Sequence, residues 1–274
     1  MNILLAQIRD RIVSMETPIP VTDSREQFDK QADLYAVSTV HRHGPSLPIL
    51  VEYAAPLPSD RVLDVATGTG NAAFTLAPHV AEVVGLDVSE RMLEQAQTRA
   101  NDEQIGNIHF KVGDAERIPF EEGRFSMVIS RHAPHHFRNA DRFVQEVRRV
   151  LTSNGRFILA DQISTTKKVQ PWNEVWQRTR DTSHFCQRTV EEWQAIAHAA
   201  GFRWIRHSLV GYRMEFAWWV RQAGVSESDI ARLREHARSA SEEVRESARL
   251  EFDGDDVVAF TDQMMVARME PIAS

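Results

Sequence analysis

Short apolar runs alternate with longer amphipathic stretches from about residue 60 to residue 161. The runs at Val62-Leu63-Val65, 83–87, 109–115, 125–131 and 156–161 read as buried strands. Between them, apolar residues at helical spacing predict helices over 71–77, 90–100 and 141–151. Strand and helix in strict alternation argue for an α/β fold built on a parallel sheet. Ahead of this core, Leu4, Leu5, Ile8, Ile12 and Met15 follow a helical period that Pro18 and Pro20 stop. Ser24 with Gln27 forms a capping-box pattern for a second helix running to about Val37. Pro45, Pro48, Pro56 and Pro58 surround a third, short one. Beyond Asp161 the rhythm changes to helices over 171–180 and 190–200 and a long strand over 202–212. A stretch over 215–222 holds Phe216, Trp218 and Trp219. Ile230, Leu233, Ala237, Ala240 and Val244 lie on one helical stripe over 226–248, expected to pack in the core or against a partner subunit. A last strand spans 255–269.

The turn after the first strand carries the chemistry. Gly68-Thr69-Gly70 lets the backbone approach a ligand closely, and the following helix offers free N–H groups. Gly68-x-Gly70-x-x-Ala73 also fits a dinucleotide fingerprint. Asp64, four residues before Gly68, tips the reading. A carboxylate there does nothing for a pyrophosphate but gives an ammonium group a charge partner. Asp87 ends the second strand, where an acid accepts both ribose hydroxyls. Asp114 ends the third, where an acid suits an adenine amino group. An amine, a ribose and an adenine together describe S-adenosyl-L-methionine.

At VLDVATGTG, VVGLD, GDAERIPF, the HHF after the fourth strand, and EVRRVLTSNGRFILAD, the chain resembles the class I S-adenosylmethionine-dependent methyltransferases. The likeness is to the branch of ubiquinone/menaquinone C-methyltransferases and small-molecule methyltransferases, and covers roughly residues 60–161. The tail DTSHF…EEW resembles a bacterial subgroup of that branch. The resemblance implies a Rossmann-like, seven-stranded, mostly parallel sheet with helices on both faces and an antiparallel final strand. It also implies an N-terminal helical lid over residues 1–58, with Phe28 and Tyr35 over the cofactor. The methyltransferase domain would then span 59–274, with a helical insertion about 214–252. Ala66, Val88, Met92 and Ala115 join Asp64, Gly68, Gly70, Asp87 and Asp114 as expected cofactor residues. The implied reaction moves a methyl group to an O, N, S or activated C atom of a small organic molecule.

The segment Arg131-His132-Ala133-Pro134-His135-His136-Phe137 should lie beside the methyl group, because ligands bind outside the carboxyl ends of such strands. Histidine is the natural base near neutral pH, so His135 or His136 is a candidate base, against the reading that it packs beneath the ligand. Arg131 is expected to reach the cofactor carboxylate or an anionic substrate, or to stand as a solvated charge at the strand end. Asp161 is a candidate base or a cap, and His184 opens the cover beyond the fifth strand. His41 and His43 are weaker acceptor candidates, and one of Trp218 and Trp219 could wall an aromatic pocket. The three histidines have metal-like spacing, but Pro134 breaks the helix that would present them and no carboxylate follows closely; no metal is expected.

Composition narrows the partners. A net charge of −7 and a pI near 5.9 argue against a nucleic-acid surface. Cys186 is alone, so no internal disulfide or zinc cluster is available, and it reads as a small core residue. No apolar run is long enough to span a membrane. Arg9, Asp10 and Arg11 interrupt the N-terminal apolar segment, against a signal peptide, so a cytoplasmic protein is expected. The expected partner is a small-molecule methyl acceptor, with a homodimer left open. Two rival readings are a non-catalytic protein that holds the cofactor for regulation and a nicotinamide-dependent oxidoreductase, which Asp64 and Asp114 disfavour.

Overall fold

A computed structural model of the chain describes Thr22, Arg25, Asp29 and residues 44–272. Helix α1 (Ser46–Ala54) leads into β1 (Arg61–Val65), α2 (Asn71–Leu76), β2 (Glu82–Asp87), α3 (Glu90–Asp102), β3 (Ile108–Val112) and β4 (Phe125–Arg131). A 3-10 turn (Pro134–His136) precedes α4 (Ala140–Val150) and β5 (Leu151–Gln162). Helices α5 (Gln170–Arg180) and α6 (Val190–Ala199) follow, then β6 (Phe202–Glu215) and α7 (Phe216–Gln222). The chain ends with α8 (Glu227–Arg238), α9 (Glu242–Ser247), β7 (Glu251–Asp253) and β8 (Asp256–Pro271).

The strands form one sheet in the order β3-β2-β1-β4-β5-β8-β6. β1 to β5 are parallel, while β8 runs antiparallel between β5 and β6. That is the seven-stranded path expected; an eighth strand, the short β7, pairs with β8 alone. Both faces are buried. Val62, Val83 and Met127 enter one core cluster, while Leu63, Val84 and Val128 enter the other. Alternate residues of each strand thus reach opposite faces, which is why these strands read as continuous apolar runs. Ser89, Asn139 and Thr189 cap α3, α4 and α6 with side-chain oxygens. Arg156 clasps α1 to the sheet, donating to the Ala54 and Ala55 carbonyls and to Asp60 Oδ2 at 2.5 Å.

The connection between β6 and β8 has its own core, in which Trp176 of α5 packs with Phe216, Trp219, Leu233, Val257 and Phe260. One expectation changes here. The 226–248 stripe is not one helix: it breaks between α8 and α9, where Ser241 caps a new start by accepting from Val244 N. The stripe packs in the core, one of the two places expected for it, with Leu233 and Ala237 fully buried. Of the expected lid, Phe28, Tyr35, His41 and His43 lie outside the described residues, while residues 44–58 carry α1, whose Leu50 and Ala54 are buried in the core.

Candidate functional site

The parallel strand order reverses between β1 and β4, and a crevice opens at their carboxyl ends, as expected at such a switch point. Asp64 is 1% exposed. Its Oδ2 accepts from Thr67 Oγ1 at 2.7 Å and from Ala73 N at 3.1 Å, and burial pushes its pKa up to about 7. Asp87 is aimed by two backbone donors, Gly68 N on Oδ2 at 2.8 Å and Ser89 N on Oδ1 at 2.9 Å. Burial raises its pKa as well.

A cavity of about 100 Å³ is lined by Asp64, Ala66, Gly68, Asp87, Val88, Met92, Arg131, His132, His136 and Phe137. Ala66 and His132 sit at φ 55° and 58°. Left-handed backbone strains a residue with a Cβ, and such strain concentrates at working sites. A Cβ added to Gly68 would meet nothing within 4 Å, so the turn faces open space there. Gly70 is different: a Cβ would meet the Phe74 ring at 2.7 Å, and Gly70 does not line the cavity. It serves the turn and its packing on α2, a correction to its expected place among the cofactor residues.

Asp114 and Ala115 line a second cavity of about 450 Å³, which shares Ala66, Asp87, Val88, His136 and Phe137 with the first. Asp114 Oδ1 accepts from Glu116 N at 2.8 Å, which closes the turn after β3. Thr22 and Arg25 also line this cavity. Arg131 is not a solvated strand end. It is buried, and Nε donates to Ser46 Oγ at 3.0 Å. The Tyr212 hydroxyl donates to the same oxygen at 2.6 Å. This link between α1, β4 and β6 was invisible in the sequence, since nothing local joins Ser46 to Tyr212.

His135 and His136 diverge. A polar chamber of about 40 Å³ is lined by His132, His135, His136, Gln162, Gln177, Arg180, Asp181 and His184. His135 Nδ1 lies 2.6 Å from Asp161 Oδ1. Burial pushes His135 down to about 3 and Asp161 up to about 7. His136 lines the first and second cavities and the chamber. Its Nδ1 lies 3.1 Å from Ser183 Oγ, which donates to Asp181 Oδ1 at 2.6 Å. Burial pushes His136 down to about 3. His184 stacks on His135 with centroids 5.5 Å apart, and its Nε2 is 3.4 Å from Glu174 Oε2.

The sequence reading missed the chamber's far wall: Gln177 and Arg180 on α5, and Asp181 just beyond it. The one local signal was Asp181-x-Ser183, where an aspartate side chain closes its own turn by accepting from Ser183 N at 2.9 Å. Trp218 and Trp219 line none of these cavities; Trp219 is 3% exposed in the insertion core, so the aromatic wall expected there is absent. Burial raises the Cys186 thiol to about 11. Among the described residues, no three ligating side chains are placed to hold a metal, and no helix is long and apolar enough to cross a membrane.

A family model described as a methyltransferase domain matches residues 57–204. The chain belongs to that family, within the class I S-adenosylmethionine-dependent methyltransferases, and is an enzyme. The uncharacterized methyltransferase YcgJ of Bacillus subtilis is 30% identical over 221 residues, covering 80% of this chain and 87% of the relative. The crystal structure of that protein superposes with a TM-score of 0.81, covering 85% of this chain and 100% of the other, at 27% identity. A putative methyltransferase of Bacillus halodurans has a TM-score of 0.79 at 28% identity, covering 82% and 98%. The demethylmenaquinone methyltransferase of Thermotoga maritima is 36% identical over 122 residues, 43% of this chain and 51% of that protein.

Proposed function

We propose that this enzyme transfers the methyl group of S-adenosyl-L-methionine to a small organic acceptor bearing an ionisable hydroxyl or ring N–H. One observation carries the cofactor assignment. Acids at the carboxyl ends of β1, β2 and β3 line two cavities that share five residues, and the glycine turn between them leaves open space at Gly68. That donor set fits the group. Asp64 holds the ammonium, and Asp87, aimed by Gly68 N and Ser89 N, keeps lone pairs for the ribose hydroxyls. Asp114 and Ala115 border the adenine, while Val88 and Met92 supply apolar walls. The cofactor, when bound, supplies an electrophilic methyl group on sulfur, which leaves with its bonding pair as the thioether.

The chain's own residues supply position, dryness and a place for a proton. Once ionised, above about pH 7, Asp161 orients His135 through Nδ1, which leaves Nε2 to take a proton from a group in the chamber. A carboxylate behind an imidazole fixes both ring and tautomer in this way. The chamber's 40 Å³ is room for about three water-sized groups, so only the reacting end of the acceptor enters it. Its lining favours a polar end over a bare hydrocarbon. His184 supports the stack on His135. Thr22 reaches Thr182, and Asp29 accepts from Ser89 Oγ at 2.6 Å beside the cofactor-side cavities.

The test is incubation of the protein with deuteromethyl-labelled cofactor and a metabolite extract, read by mass spectrometry. A labelled metabolite with matching S-adenosylhomocysteine is expected. A protein that binds S-adenosylhomocysteine yet labels nothing across extracts would overturn the catalytic reading.

A further inference from the structure

His136 is the one side chain common to the two cofactor-side cavities and the chamber. Its Nδ1 faces Ser183 Oγ at 3.1 Å. Ser183 is 1% exposed and Asp181 is 7% exposed, so neither exchanges its hydrogen bonds freely with water. A hydroxyl has one proton to give. Ser183 Oγ gives it to Asp181 Oδ1 at 2.6 Å, and the same carboxylate oxygen also accepts from Ser183 N at 2.9 Å. Toward His136 the hydroxyl can therefore only accept. An accepting oxygen at 3.1 Å requires the proton of the neutral ring to sit on Nδ1.

We infer that Asp181 and Ser183 are positioning residues that hold His136, at the wall shared by cofactor and acceptor, in its Nδ1–H tautomer. This rests on the methyltransferase reading for its purpose, though not for its geometry. The direction of the relay follows from the acid. Burial works against the Asp181 carboxylate, but with His136 neutral the two donors of Ser183, N and Oγ, and the nearby Arg180 charge still favour its ionised form. An ionised carboxylate can only accept. The two adjacent histidines are thus tied by the same nitrogen to two different acids. His135 is held by Asp161 at the end of β5, and His136 is held through Ser183 by Asp181 beyond α5. Asp181 and Ser183 lie in the buried turn after α5, which Phe185 N and Cys186 N tie to the His135 carbonyl, so the tautomer of His136 is set by the packing of that turn.

The test is long-range proton–nitrogen correlation NMR on protein labelled with ¹⁵N-histidine, the two ring signals being assigned with His135→Gln and His136→Gln. In the wild type, His136 is expected as a single Nδ1–H tautomer. Ser183→Ala should give a mixed or inverted tautomer for His136, while His135, read above about pH 7 where Asp161 is ionised, keeps its Nδ1–H signal as an internal control of the fold. Ser183→Thr, which restores the hydroxyl, should restore the wild-type pattern. A wild-type His136 protonated on Nε2 would overturn the inference, as would a Ser183→Ala variant whose tautomer is unchanged. If Ser183→Ala does not fold, the wild-type spectrum and Ser183→Thr still decide. Failure of methyl labelling would strike the functional reading alone, because the tautomer is read without any acceptor.

Discussion

Asp64 and Asp87 face one cavity with different means of support, and this separates what their loss should do. Asp64 has a pKa raised to about 7 by burial, so below that pH the empty site holds mostly the neutral acid. A cationic amino group binds the carboxylate, so ligand binding must displace the proton. Affinity for S-adenosylhomocysteine should therefore fall as pH drops below about 7, by up to about tenfold per unit. Calorimetry from pH 8 to pH 5.5 checks it, and Asp64→Asn should remove the dependence along with much of the affinity. Asp87→Ala should weaken binding more than tenfold, since each hydrogen bond to a charged group is worth ~1.5–3 kcal/mol. Asp114→Ala should cost less, because Asp114 already spends Oδ1 on its own turn. These acids were readable in the sequence because each ends an apolar run, a purely local signal. The Arg131–Ser46–Tyr212 link was not, because 166 residues separate Ser46 from Tyr212.

Helix α5 works on both its sides. Trp176 stacks on Trp219 at 5.1 Å within the insertion core, while Gln177, next in sequence, lines the chamber and donates to Asp262. Trp176→Ala should destabilise the protein by ~3–5 kcal/mol, as truncation of a buried aromatic does, measured by urea unfolding. Helix α5 was legible as a helix, but its sequence gives no sign that its carboxyl end meets His135 and His136, which only the sheet order brings near. The break between α8 and α9 left a signal that was passed over: Ser241 followed by Glu242 and Glu243 is a helix start. Thr22 and Arg25 make the opposite kind of contact, short and polar, on Thr182 and, at 3.2 Å, on Glu90. Surface pairs of this sort are weak. Hydrogen exchange over residues 24–43 should slow when S-adenosylhomocysteine binds, and equal exchange would contradict a gate.

Across the molecule, one half of the site, the cavities proposed for the cofactor, is lined by the turns after β1 to β4, and the other half, the chamber, is lined by the loop after β4, the end of β5 and the carboxyl end of α5 with the residues beyond it. The first half follows short-range rules and could be read from the chain; the second is assembled from residues far apart and could not. The two halves meet at His132 and His136, which line both the first cavity and the chamber. A partition with two faces has a thermodynamic consequence. Any ligand that fixes those rings from one face alters the surface offered on the other, so the two binding equilibria are linked. Linkage is reciprocal: whatever factor S-adenosylhomocysteine applies to the acceptor's Kd, the acceptor applies to that of S-adenosylhomocysteine. A fragment screen on the empty protein and one on the S-adenosylhomocysteine complex should therefore return different ranked lists, and the second is the one from which to name the acceptor.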